Sequence, residues 1–324
     1  MKMLNITLNT PAGPQSRAGN RATATRWARF LRELGHRVHV ARNDPGERAD
    51  VMIALHAWRS AEPIQAFAER HPERALVVVL TGTDIYRFQD SDPETTLASM
   101  DRAHALIGLH DRVADDIPER FRERVHTVFQ SAHPLPPSYP GPRRDRFDVC
   151  VAGHLREEKD SLRAAYAVRN LSAESRLSII QAGQAHSPDW AEAARTEAAR
   201  NPRYQWLGEI PHWQVRRLMS RSRAMVMSSI MEGGANAVSE ACVAGLPVIA
   251  SDIAGNRGLL GDDHPAYYPP QDTDALTALL RRAETETGFL EAVRTNGDRQ
   301  AALFRPTAER DGLARVLHQV APNG

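Results

Sequence analysis

Short runs of β-branched and aliphatic residues alternate with longer stretches of helical spacing along almost the whole chain, and prolines interrupt that alternation once. Met3–Leu8, Arg37–Ala41, Val51–Leu55, Leu76–Leu80, Ala105–Leu109 and Val125–Phe129 read as strands. Between the first two, Arg21–Leu34 carries Trp27, Phe30, Leu31 and Leu34 on one helical face, and Gly35 follows as a C-cap. Pro134, Pro136, Pro137, Pro140 and Pro142 then fall within nine residues, followed by the charged run Arg143–Arg146. Such a stretch behaves as a stiff linker. The rhythm restarts at Phe147–Ala152 and repeats at Leu177–Ala182, Tyr204–Leu207, Met225–Ser228 and Pro247–Ser251. Strands alternating with helices predict parallel sheets covered on both faces. The chain is therefore expected to be α/β, with two doubly wound, Rossmann-like domains at about 1–138 and 139–305. The tail, 306–324, has helical spacing at Leu313, Val316, Leu317 and Val320 and could pack against either domain. Ligands of doubly wound sheets sit outside the carboxyl ends of the strands, so the expected site is the cleft between the domains.

Composition narrows the function. A chain of 324 residues buries enough surface to need neither disulfide nor metal for its core. Its 41 basic and 40 acidic residues nearly cancel, which argues against nucleic-acid binding or a polybasic membrane contact. Cys150 and Cys242 sit in apolar runs and form no CxxC pair, so a reducing compartment is the default. The longest apolar run, Ala75–Leu80, is far below the roughly 20 residues of a membrane span. The N-terminus reads as a first strand rather than a signal peptide, and a cytoplasmic location is expected. Lys2 and Lys159 are the only lysines among those basic residues, which makes the internal one worth following.

The densest chemistry lies in Ser228-Ser-Ile-Met-Glu232-Gly233-Gly234-Ala235-Asn236-Ala-Val-Ser-Glu240-Ala-Cys-Val-Ala-Gly245-Leu-Pro247. A strand end, a glycine pair and a helix of about Ala235–Ala244 follow in order. The glycines let the backbone approach a ligand, and the helix start favours an anion. A glutamate pair at the spacing of Glu232 and Glu240 arises by chance; strand, Gly-Gly, helix, Gly-x-Pro and strand in sequence are far more specific. Gly153-His154-Leu-Arg156-Glu-Glu-Lys159-Asp160 follows the first strand of the second half. It is no Walker A loop, because no glycine precedes Lys159 and Asp160 stands at the Ser/Thr place. A compact ammonium at that strand edge nonetheless suits a phosphate. In the first half, His56, Arg59 and Ser60 end one strand and Thr81, Gly82, Thr83 and Asp84 end the next, while Gly19, Asn20 and Arg21 open the first helix. No zinc-ligand spacing occurs among the histidines, and no hydrolase or dinucleotide motif is present.

Phe147–Ser251 resembles the donor domain of family 4 retaining glycosyltransferases of GT-B fold, on the Gly153…Lys159 loop, Trp206-Leu-Gly208-Glu209-Ile-Pro211, and Glu232-Gly-Gly…Glu240-Ala…Gly245-Leu-Pro-Val. The resemblance implies that Glu232 and the backbone of Gly233, Gly234, Ala235 and Asn236 hold a donor hexose. It implies that Glu240 takes the ribose hydroxyls, and that His154 and Lys159 take the diphosphate of a UDP-sugar. The family usually has arginine where His154 stands; Arg156 is the nearby candidate to supply that charge. The segment from Gly208 and Glu209 would hold the base, and Gly19 joins the expected donor-binding set. Nearly the full length is similar to the glycosyltransferases assigned as selenosugar synthases of selenoneine biosynthesis. That likeness rests on Gly19–Val38, Ala54–Ala61, Leu80–Arg87 and the Glu232–Asn236 turn. It implies transfer of a hexose, such as N-acetylglucosamine, from a UDP-sugar to selenophosphate.

The expected catalytic set is then Lys159, Glu232, His56 and Asp84. The expected acceptor set is Asn20, Arg21, His56, Arg59, Ser60, Thr81, Gly82, Thr83 and Asp84, whose cations and small polar groups suit a compact oxyanion. No metal and no cofactor are expected, since a lysine, a second basic residue and a helix start can carry the leaving-group charge. Two alternatives stay open: the same donor domain serving another small acceptor, such as a sugar phosphate or a metabolite hydroxyl, and a UDP-sugar-binding protein without turnover.

Overall fold

The computed structural model describes residues 2–16 and 19–321. Arg17 and Ala18 of the loop before the first helix lie outside the described residues. Every strand pairing among the described residues is parallel, in two six-stranded sheets. The chain forms two Rossmann-like α/β units.

The first sheet holds β1 (Asn5–Asn9), β2 (Arg37–Ala41), β3 (Val51–Leu55), β4 (Ala75–Leu80), β5 (Ala105–Gly108) and β6 (Val125–Thr127), in the order β2-β1-β3-β4-β5-β6. Side chains alternate across a strand. Val51, Ile53 and Leu55 accordingly join Ile6, Leu8, Trp27 and Leu31 in one buried cluster, and Met52 and Ala54 join Phe67, Met100 and Phe121 in another. Both faces are apolar, which is why these central strands read as continuous hydrophobic runs.

The second sheet holds β7 (Phe147–Ala152), β8 (Leu177–Ala182), β9 (Tyr204–Trp206), β10 (Ala224–Met227), β11 (Val248–Ser251) and β12 (Tyr267–Tyr268), in the order β12-β11-β10-β7-β8-β9. Strand order reverses at β7, which pairs with β8 on one side and β10 on the other. The loops leaving β7 and β10 therefore flank a topological switch point, the place where such sheets bind ligands.

The first unit takes in the chain to Ser131, the short segment Glu232–Gly234 and the chain from Arg305; the second takes in Ala132–Met231 and Ala235–Phe304. The break thus comes several residues before the expected 138, and Glu232–Gly234 fall with the first unit instead of the donor half. The C-terminal helix, Pro306–Val320, is part of the first unit's core through Leu313, Val316 and Leu317. One buried carboxylate anchors it. Glu309 accepts hydrogen bonds from Arg26 Nε at 2.8 Å, Trp27 Nε1 at 2.6 Å, Ser131 N at 2.8 Å and the Ser131 hydroxyl. No helix among the described residues is long and apolar enough to cross a membrane.

Candidate functional site

In the second unit the Gly153–Asp160 loop is pinned from three directions. The Ser228 hydroxyl, just past the end of β10, donates to the carbonyls of Lys159 at 2.9 Å and Asp160 at 3.1 Å. The Ile230 N–H donates to the Glu158 carbonyl at 2.9 Å. From β8, Gln181 Nε2 donates to the Ser161 carbonyl at 3.0 Å, and Gln181 is itself fixed by the Tyr204 hydroxyl at 2.7 Å. Asp160 takes a left-handed conformation (φ 43°) with its carboxylate on Arg163 Nε at 2.7 Å. His154 and Lys159 line one small cavity with Gly153, Ser161, Ser228 and Ser229. Arg156 Nε lies 3.8 Å from Glu158 Oε2.

The loops after β8 and β9 extend the same edge. Gly183 N–H donates to the Gly208 carbonyl at 2.8 Å, and Trp206 Nε1 to the Gly183 carbonyl at 2.9 Å. A Cβ on Gly183 would lie 1.8 Å from the Gly153 carbonyl oxygen, so only glycine lets the two loops meet. Glu209 is exposed beyond them.

The helix Asn236–Val243 starts from Ala235, which supplies no side-chain cap, and leaves its first amides to other acceptors. Glu240 is two-thirds along it. Its Oε1 lies 2.8 Å from His212 Nε2, and its Oε2 lies 3.8 Å from Arg216 Nη1.

The first unit brings its expected residues to the carboxyl ends of β3 and β4. His56 has φ 76°, unusual for a residue with a Cβ and a mark of a site under constraint. Its Nδ1 accepts from the Arg59 N–H at 3.2 Å, so its proton sits on Nε2, 2.9 Å from the Thr83 hydroxyl oxygen. Burial pulls its pKa down, against the pull of Asp84. Both ring nitrogens are thus engaged within the unit. Asp84 is fully buried and accepts from the N–H groups of Ala57 at 3.1 Å, Thr81 at 2.9 Å and Gly82 at 2.7 Å. It organises two strand-end loops instead of facing a ligand. Ser60 likewise turns inward, donating to the Leu55 carbonyl at 2.7 Å. Arg59 is exposed; Asn20 and Arg21 are half-buried on the first turn of the helix Gly19–Glu33, and Gly19 is exposed at its start. Glu232–Gly234 pack within this unit, where a Cβ on Gly233 would meet the Gly82 nitrogen at 2.2 Å.

Sequence reasoning passed over His110, just beyond the end of β5. It is fully buried; Nδ1 accepts from the Arg112 N–H at 3.3 Å, and Nε2 lies 3.1 Å from the Tyr86 hydroxyl, which donates to Asp116 at 2.7 Å. Burial, with the charge of Arg112, holds its pKa at about 4, while Glu232 opposes the shift. The available signal was position: a histidine follows β5 much as His56 follows β3. His212 and Arg216 were also passed over, since only the packing of two helices shows them beside Glu240.

With this geometry in view, comparison with known proteins identifies the fold. Residues 140–300 match the family model for glycosyl transferases group 1. No curated protein matches the chain by sequence. Among solved structures, HepE from Anabaena in complex with UDP and glucose is similar at 15% identity over 98% of this chain and 100% of that one, with a TM-score of 0.79. A glycosyltransferase from Rickettsia africae is similar at 12% identity over 100% of both chains (TM-score 0.78). The α,α-trehalose 6-phosphate synthase from Burkholderia multivorans is similar at 14% identity over 99% of both (TM-score 0.76). These likenesses establish the GT-B fold.

Proposed function

We propose that the protein is a metal-independent hexosyltransferase that moves a sugar, N-acetylglucosamine or glucose, from a UDP-sugar to selenophosphate. The observation that carries the donor half is the pairing of the pinned Gly153–Asp160 loop with the helix Asn236–Val243 on either side of the β7/β10 switch point. The family-model match over 140–300 and the UDP bound in Anabaena HepE support the same reading. In this reading Glu240 takes the ribose, Lys159 with His154 takes the diphosphate, and Glu232 with Gly233–Asn236 takes the hexose. In this reading most of the diphosphate charge falls to Lys159 and the helix start.

The selenium of selenophosphate forms a bond to the anomeric carbon while the bond from that carbon to the UDP oxygen breaks, and UDP leaves with the electron pair. Lys159 and the amides after Ala235 stabilise the charge that develops on UDP. Selenium arrives as an anion and needs no base, and both ring nitrogens of His56 are already engaged. Exposed Arg59 and the first-helix residues Asn20 and Arg21 suit a small, highly charged acceptor with no hydrocarbon to bury. Later hydrolysis of the phosphorus–selenium bond would give the free selenosugar of selenoneine biosynthesis.

The test is mass spectrometry of EDTA-treated enzyme with UDP-N-acetylglucosamine and selenophosphate, thiophosphate or phosphate. UDP and a hexosyl adduct should form fastest with selenophosphate and slowest with phosphate. A second reading, transfer to a sugar phosphate, draws on the likeness to the trehalose 6-phosphate synthase. UDP release with a sugar phosphate and none with selenophosphate would select it.

A further inference from the structure

The helix His212–Arg221 presents two residues one turn apart, His212 and Arg216, to the helix that carries Glu240. They differ sharply. The His212 side chain is 71% exposed, whereas Arg216 is buried at 7%. Arg216 Nη1 donates to the backbone carbonyl of Glu240 at 2.9 Å and lies 3.8 Å from its Oε2, and Nη2 donates to the His133 carbonyl at 2.7 Å. Two main-chain carbonyls on separate segments thus fix the guanidinium plane. Burial pulls its pKa down, and Glu240 is the main group pulling it back.

A buried cation is costly, and a methionine or leucine could fill similar space without that cost. Bonds to carbonyls alone do not require the charge, but a carboxylate that must stay in one orientation does. Glu240 needs both oxygens directed at a ligand if it is to accept from two vicinal hydroxyls. His212, being exposed, is the partner a hydroxyl can displace from Oε1; Arg216 cannot move aside.

We propose that Arg216 is a positioning residue of the nucleotide site, holding the Glu240 carboxylate in the orientation that discriminates ribose from deoxyribose. This rests on the reading that Glu240 holds the ribose. The test is calorimetric binding of UDP and 2′-deoxy-UDP to the full-length wild type, Glu240→Gln, Arg216→Met and Arg216→Lys. Wild type should prefer UDP by about tenfold, the size of one charge-assisted hydrogen bond. Arg216→Met should bring the ratio below about threefold while 2′-deoxy-UDP binds nearly as in wild type. Arg216→Lys, whose single ammonium cannot span both carbonyls, should give an intermediate ratio and serves if the methionine variant does not fold. If an Arg216 variant weakens both nucleotides by the same factor, or keeps the wild-type ratio while Glu240→Gln loses it, Arg216 is structural and the proposal is overturned. If Glu240→Gln keeps the ratio, Glu240 does not hold the ribose, and the proposal falls with that reading.

Discussion

The two sheets present opposite kinds of polar chemistry at the same topological place. At the strand ends of the first unit, His56, Asp84 and His110 are buried and have their polar atoms taken up by the protein. At the strand ends of the second, Lys159 belongs to a loop pinned through its backbone, and Glu240 keeps an exposed, exchangeable partner in His212. One edge buries its carboxylate and its histidines in hydrogen bonds to the protein; the other leaves a carboxylate beside an exposed partner. The difference teaches that a polar residue at a strand end is no site by itself. What matters is whether the backbone around it or a ligand is meant to satisfy it.

The sharpest way to break the comparison is Asp84→Ala. Three backbone N–H groups would lose their acceptor, at about 1–3 kcal/mol for each buried group left unpaired. Destabilisation of roughly 3–5 kcal/mol is expected in chemical denaturation. A loss below about 1 kcal/mol would mean that Asp84 does not organise the strand-end loops. Next comes pH. His110 has a folded pKa of about 4 against the 6.5 of the unfolded chain, so the unfolded state binds more protons between those values. Stability should be flat above about pH 6.5 and fall as pH drops towards 4, by on the order of 3 kcal/mol. His110→Gln should flatten the part of that slope that the histidine causes. An unchanged slope would put the acid sensitivity elsewhere.

The second unit should respond differently. Lys159→Ala should weaken UDP binding by about 1.5–3 kcal/mol with the melting temperature nearly unchanged, because Ser228, Ile230 and Gln181 hold the backbone of the loop. UDP affinity within threefold of wild type would remove Lys159 from the diphosphate. The smallest stability effect, within about 0.5 kcal/mol, is expected for Arg59→Ala, which should instead raise the KM for selenophosphate. An unchanged KM would mean that the acceptor binds without it.

Much of the fold is legible in the sequence because apolar periodicity reports directly on a two-faced parallel sheet. The bounds of β2, β3, β7 and β8 agree residue for residue. The remaining expected strands shift by a residue or two at their ends, where the apolar run and the hydrogen-bonded ladder stop at different residues. β12 was missed because two residues carry no period. The side on which Pro306–Val320 docks was open for a different reason: its apolar stripe fits any sheet, and Glu309 becomes decisive only beside Trp27 and Ser131. The site divides the same way. Lys159 stands out by rarity, and Glu240 by its place after a strand, a glycine pair and a helix start. His110, Arg216, Ser228 and Gln181 act through partners distant in sequence, and no local pattern marks them.

Glu309 also bears on how the molecule is made. The helix that completes the first unit is encoded after the entire second unit, with 283 positions between Arg26 and the carboxylate that receives it. During synthesis the early sheet must wait, with the face later covered by Leu313, Val316 and Leu317 still open, while the second unit is translated and can fold as a continuous piece but for three residues. The unit translated first is thus the one finished last, and a nascent-chain binding factor would find its exposed apolar face there.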